Sequence, residues 1–246
     1  MCSSDLMASK AKHPGQEEGK KARLELGALK VNLSAIFGLV IAGGVMTWIV
    51  VTDGIRDISF SLSGSLIPVY LEGIGRMSAQ QIGWLSSILG IAMMLTSFPA
   101  GHLADKRGER VAIALGFALQ SAALFLFIRA NNFLTYAISY FIIGVGFSLM
   151  SPAYQSLLSK VLPQKLRGTG FGLVQSGLGL FSLPAPAIGA KLYSSVAPVT
   201  PFRITAWASM LAIIPVIFKF KLTEKDTQHI EKAEARVFEG NEEDRT

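Results

Sequence analysis

The chain has 246 residues, half of them hydrophobic and only 16% charged, against roughly 25% charged in an average soluble domain. That balance excludes an ordinary water-soluble core and points to a membrane protein. The formal charge of +6 does not indicate nucleic acid, because Lys and Arg fall in tails and loops without aromatic–basic interleaving. Cys2 is the sole cysteine and His13, His102 and His229 are scattered, so no disulfide framework, metal centre or cofactor is expected.

The opening MCSSDL has neither the basic start nor the apolar core of a signal peptide. It back-translates as TGC TCT TCC GAT CT plus one base, which reads like a sequencing-library adaptor. Residues 1–6 are therefore expected to be an assembly scar on a truncated reading frame, which native upstream DNA encoding the same residues would refute. Residues 7–30 are polar and read as a flexible tail or linker, as do residues 223–246 at the other end.

Between the tails, apolar stretches near 45–71, 79–103, 111–129, 133–158, 169–193 and 202–220 each match the length needed to cross a bilayer. Six membrane helices are expected. The stretch 31–71 leaves two readings open, since one helix over it would be about 60 Å long, twice the bilayer core. Either 31–43 is an interfacial or tail-leading helix that ends at Gly43 and Gly44, or Leu33–Val51 is the span and Asp53, Arg56 and Asp57 lie in water.

Loop charge sets the orientation, because Lys and Arg collect on the cytoplasmic side. With six spans, one side holds the basic N-terminal tail, Lys106, Arg107, Arg110, Lys160, Lys165, Arg167 and the C-terminal tail. The other side holds only Arg76, Arg129, Lys191 and Arg203. Both termini are therefore expected in the cytoplasm, in the inner membrane of a prokaryote.

Within the first span, Asp53, Arg56 and Asp57 are expected to share a broad helix face with Thr52, Ser59 and Ser63. A charge near the bilayer centre costs about 2.5–3.5 kcal/mol on translocon scales. The i,i+3 pair of Asp53 with Arg56 offsets most of that, which leaves Asp57 as the candidate for reversible protonation. The competing reading is a charged cluster at the membrane edge. Tyr154, Gln155 and Gln175 are candidates for lining a polar path or for bonding between helices. Gly168 and Gly172 form a GxxxG pair expected to let helices approach.

The segment GHLADKRGER, residues 101–110, joins the second and third spans. Gly101, Leu103, Ala104, Asp105, Lys106, Gly108 and Arg110 resemble the signature loop of the major facilitator superfamily, G-x-L-a-D-r-x-G-r-r. Glu109 departs from it, an acid where the family commonly has a base. Gly101 and Gly108 are expected to permit close packing and a tight turn, and Asp105 to bond helix N-terminal amides or an arginine. LIPVYLEGIG (66–75), YFIIGVGFSLMSPAYQSLLSKVLPQKLRGTGFG (140–172) and LPAPAIGAKLY (183–193) resemble further parts of a facilitator half. Pro186 and Gly189 are similar to an element of drug and proton antiporters, although Ala185 and Ala190 replace two of its glycines.

The resemblance implies an all-α membrane protein in which residues 31–222 form six transmembrane helices, one half of a twelve-helix transporter with three-plus-three inverted repeats. Residues 1–30 would be the central cytoplasmic linker and this the C-terminal half, with a missing N-terminal half or a second copy as partner beside the surrounding membrane lipids. It implies alternating-access transport of a small organic solute, as proton-coupled efflux, with residues 101–110 as a gating latch. Uptake or facilitated diffusion by the same fold, and a non-transporting six-span remnant, are the alternatives. No intramembrane protease motif of the G-x-S-G or G-x-G-D type and no G-x-x-x-x-G-K-[ST] loop occurs, so neither an enzyme nor direct ATP drive is expected.

Overall fold

The computed structural model describes residues 44–162, 164 and 167–220, with isolated positions at 38, 40, 41, 227, 228, 231, 232 and 235. The expectations for residues 1–37 and for most of 223–246 lie outside the described residues. Every regular element among the described residues is helical: α1 (Val45–Gly64), α2 (Ile67–Gly73), α3 (Ala79–Arg107), α4 (Glu109–Arg129), α5 (Phe133–Val161), α6 (Arg167–Ser182), α7 (Ala185–Ser195) and α8 (Thr200–Lys219).

Six spans result, two of them interrupted. The first breaks at Ser65 and Leu66, just before Pro68 near the start of α2. The fifth breaks at Leu183 and Pro184, with Pro186 following near the start of α7. Proline has no N–H for the preceding turn, so a helix restarts there with proline in its first positions. Five described spans are long and apolar enough to cross a membrane: Ala79–Arg107, Glu109–Arg129, Phe133–Val161, Arg167–Ser195 and Thr200–Lys219. The remaining span begins with α1, which carries Asp53, Arg56 and Asp57.

Of the two readings of 31–71, the helix Val45–Gly64 excludes the one that puts the trio in water. Asp53 is buried inside that helix. Starts are fixed locally where the sequence supplies caps. Ser78 accepts from the Gln81 amide at 3.3 Å while the Gln81 side chain accepts from the Ser78 amide at 3.0 Å, and Asn132 Oδ1 accepts from the Thr135 amide at 2.9 Å. Each satisfies amide donors that a helix start leaves open.

The packing repeats itself. Span one packs on spans five and six as span four packs on spans two and three, span two touches three as five touches six, and spans one and four, like three and six, meet directly. Exchanging spans one to three with spans four to six reproduces this pattern, apart from a contact of α2 with α3. Since spans one and four cross in opposite directions, the relationship is that of inverted repeats.

Two apolar clusters fill the bundle. One, toward the end that carries Lys106, Arg107 and Lys160, includes Ile49, Phe117, Met150, Tyr154, Leu157 and Val216. The other packs aromatic rings: Tyr70 lies 4.9 Å from Phe202, and Phe127 lies 5.2 Å from both Tyr136 and Phe202, centroid to centroid. Such offset and edge-on pairs favour the negative ring face meeting a positive ring edge.

Glycines decide where backbones meet, though not all the expected ones. A Cβ on Gly189 would fall 2.0 Å from the Leu62 carbonyl oxygen, so α7 rests against α1 with no room for a side chain. Gly168 and Gly172 have nothing within 4 Å of such a Cβ, whereas on Gly170 it would meet Leu162 at 2.7 Å. The GxxxG pair is therefore not the contact within this bundle. Gly170 is, because the buried face of α6 runs through Gly170, Val174 and Leu178.

Candidate functional site

Three helices bring polar side chains to one place. Asp53 and Arg56 come from α1, Ser151, Tyr154 and Gln155 from α5, and Gln175 from α6, around a cavity of about 40 Å³ that Ile49, Leu158 and Phe171 complete. One turn of helix between Asp53 and Arg56 puts both on the same side. Arg56 Nη2 stands 2.7 Å from Asp53 Oδ1. That oxygen makes no aligned hydrogen bond, so the contact is chiefly Coulombic. Unlike a surface pair it is shielded from water, with the Asp53 side chain 7% and the Arg56 side chain 19% exposed.

Tyr154 holds the other side of the guanidinium. The Arg56 Cζ lies 5.1 Å from its ring centroid, within the range of cation–π attraction. The Tyr154 hydroxyl donates to Thr52 Oγ1 at 3.1 Å, and Thr52 donates in turn to the Trp48 carbonyl at 2.8 Å. Thus the ring that flanks Arg56 is fixed by the helix that carries Arg56.

The trio divides. Asp53 and Arg56 line the cavity, whereas Asp57 is half-buried, does not line it and has no ion-pair partner among the described residues. Nor do Thr52, Ser59 and Ser63 share the cavity face. They form the buried stripe of α1 toward α5 and α8, where Thr205 donates to the Ser59 carbonyl at 2.6 Å. The face expected to be broad is split by the 100° step of the helix. Gln155 and Gln175, both exposed, line the cavity and make no hydrogen bond between helices among the described residues.

The segment 101–110 is not a loop. Gly101, Asp105 and Lys106 lie within α3, Arg110 lies in the first turn of α4, and only Gly108 separates the helices, at φ 87° and ψ 152°. Such a conformation is nearly confined to glycine. The expected tight turn is present at Gly108. At Gly101 nothing among the described residues lies within 4 Å of a Cβ position. Asp105, one turn on, is exposed and makes no hydrogen bond or ion pair among the described residues. Gly101 is half-buried, and α3 continues as a helix through Arg107.

Glu109 was visible only as a departure from the signature. In the structure its carboxylate accepts from Lys160 Nζ and, at 2.9 Å, from Ser156 Oγ, joining the start of α4 to the end of α5. Sequence reading missed this pair, and also Ser151 and Phe171 in the cavity. Their partners are far along the chain and no spacing announces them. Pro186 and Gly189 lie in α7, beyond the break in span five; neither lines the cavity, and Gly189 packs on α1 at Leu62.

A six-span bundle of inverted repeats with ionisable side chains gathered between its helices has the architecture of a membrane-transporter half. The major facilitator superfamily profile matches residues 49–242, and the chain belongs to that superfamily. It is 26% identical over 162 residues to the quinolone resistance protein NorA of Staphylococcus aureus, covering 66% of this chain and 41% of that protein. It is 27% identical over 175 residues to the uncharacterized MFS-type transporter YhjO of Bacillus subtilis, covering 71% of this chain and 43% of that one. The chain thus spans about two fifths of the length of these relatives.

Proposed function

We propose that this chain forms the C-terminal half of a drug-efflux-type transporter that exports a small organic solute by alternating access, driven by protons. The observation that carries the reading is the Asp53–Arg56 pair beside Tyr154, Gln155 and Gln175, in a bundle whose other buried polar side chains among the described residues are uncharged. Ionisable groups at membrane depth are costly and persist where a path or coupling step needs them. Similarity to a quinolone resistance protein supports a drug-like solute and export over uptake.

Asp57 carries the proton. It is the acid of the trio with no ion-pair partner among the described residues, and it is half-buried on the helix that carries the cavity pair. The second wall of the path comes from another six-helix half, in the same polypeptide or in a second copy. Gly83, Gly90 and Gly101 on α3, with Gly168, Gly172 and Gly179 on α6, have no neighbour within 4 Å of a Cβ. Small residues on a membrane helix suit close contact with protein rather than lipid. The basic ends at Lys106, Arg107 and Lys160 support a cytoplasmic placement of that side and of both termini, in a prokaryotic inner membrane.

The test is solute flux in proteoliposomes containing the protein encoded by the complete gene, with and without an imposed pH gradient. Solute counterflow and gradient-driven accumulation are expected, and Asp57→Asn should retain counterflow while losing accumulation. Gradient-driven accumulation unchanged in Asp57→Asn would remove its coupling role. Absence of counterflow across sugars, drugs and peptides would leave a non-transporting six-span protein.

A further inference from the structure

The two helix breaks meet each other. In a continuous helix the Leu66 amide would donate to the Leu62 carbonyl, but it donates to the Ser63 carbonyl at 3.0 Å. The Leu62 carbonyl lies instead against Gly189 of α7, where no side chain fits. On the other span, Pro186 has no amide to offer the Ser182 carbonyl, and Ser61 Oγ donates to it at 3.5 Å. Each break thus opens a carbonyl, and each opened carbonyl is turned toward the other span. Gly54, next to Asp53 in the chain, extends the seam, with its Cβ position 3.2 Å from Leu178. The seam runs from the turn that carries Asp53 to the end of the bundle away from Lys106 and Lys160, and so stands between the cavity and that end.

Its two sides are held unequally. On the span-one side α2 is anchored, with Leu71 fully buried and the Tyr70 ring 4.9 Å from Phe202 and 5.3 Å from Phe127. On the span-five side α7 buries only Ala185 and Gly189 of its 11 residues, with Tyr193 partly buried against the aromatic cluster. Leu183 and Pro184 interrupt the helix before it, and after it the chain turns at Ala197, whose amide reaches back to the Leu192 carbonyl at 3.3 Å. A short helix with so few buried residues is the kind of element that opens while the rest of a domain stays folded.

We propose that α7 is a lid, hinged at Leu183 and Pro184, that seats on the break of span one and lifts from it to open the cavity toward the end of the bundle opposite Lys106 and Lys160. Gly189 gives the seat its fit, and Ser61 is the latch. The latch is one long hydrogen bond, weak enough to be exchanged for water when the lid lifts. Which side moves follows from the packing: lifting α2 would strip Tyr70 and Leu71 from the aromatic cluster, whereas lifting α7 exposes two small residues and the edge of Tyr193. The gating purpose of the lid rests on the transport reading of the same cavity; its movement does not.

The test is cysteine accessibility in the detergent-solubilised protein from the complete gene, with its native cysteines replaced by serine. Ala185→Cys places a thiol on the buried face of α7, and Ala123→Cys places one in the fully buried face of α4. A maleimide is expected to label the first and spare the second, because only the lid opens. Adding Ser61→Ala should speed labelling at position 185 about threefold, the scale of one hydrogen bond between membrane helices. Adding Gly189→Ala should speed it at least about tenfold, since the lid no longer seats. Pro184→Ala/Pro186→Ala returns amide donors to the break and should slow it.

No labelling of Ala185→Cys, equal labelling of Ala123→Cys, or a rate unmoved by Ser61→Ala and by the proline pair overturns the lid. Solute counterflow in proteoliposomes is read separately, and the proline pair should slow it. Slower labelling with unchanged counterflow defeats the gating role, whereas labelling as expected in a protein without counterflow defeats the transport reading alone.

Discussion

The Tyr154 hydroxyl on α5 donates to the Thr52 hydroxyl on α1 across 3.1 Å, in a pair buried from all sides. Tyr154→Phe removes this bond but keeps the ring against Arg56, and Thr52 retains its bond to the Trp48 carbonyl. A loss of about 0.6–1 kcal/mol is expected, the scale of hydrogen bonds between membrane helices. Tyr154→Leu removes the ring as well and should cost more. Thermal unfolding of the purified protein in detergent measures both, and equal losses would mean that the ring contributes nothing through Arg56.

Glu109 and Lys160 tie the start of α4 to the end of α5, with the Lys160 side chain 52% exposed. So exposed an ion pair contributes less than about 1 kcal/mol and weakens with salt. Glu109→Lys should destabilise by that order, and adding Lys160→Glu should restore most of it. A double-mutant cycle of unfolding midpoints at low and high salt reads the coupling, which should shrink at high salt.

Gly101 and Gly108 belong to the same signature but face opposite constraints. Gly108 adopts φ 87° and ψ 152°, so Gly108→Ala should cost about 1–3 kcal/mol through backbone strain. Gly101 has helical backbone and open space around its Cβ position, so Gly101→Ala in the isolated six-span chain should be neutral or slightly stabilising through helix propensity. Unfolding midpoints of the two variants side by side make the comparison.

At Gly189 a methyl group would meet the Leu62 carbonyl oxygen at 2.0 Å. Gly189→Ala should force α7 from α1 and cost at least about 1–3 kcal/mol, with lower yield of folded protein. Gly172→Ala, in open space on α6, is the control and should leave folding of this half intact. If Gly172→Ala nevertheless abolishes transport in the complete protein, its face meets the other half.

Much of the architecture was legible in the chain. Six apolar stretches, Ser78 with Gln81, Asn132, and the prolines at 68, 184 and 186 act over one or two turns, so their consequences can be read locally. The Asp53–Arg56 pair was legible for the same reason, being one helical turn apart. The breaks in spans one and five were not assigned, although Pro68 and Pro184 signal them. The GxxxG pattern says that helices could approach but not which partner; within this half, Leu162 and the buried face of α6 make Gly170 the residue approached.

Sequence alone determined that this is a membrane protein of the major facilitator kind, because the length and apolarity of spans and the spacing of GHLADKRGER are properties of contiguous residues. Only the tertiary structure separated Asp57 from Asp53 and Arg56, set Tyr154 against the guanidinium, and paired Glu109 with Lys160. Those relationships depend on which face of each helix turns toward which neighbour. That choice is made by summed packing across the bundle, where positions a hundred residues apart come within about 3 Å.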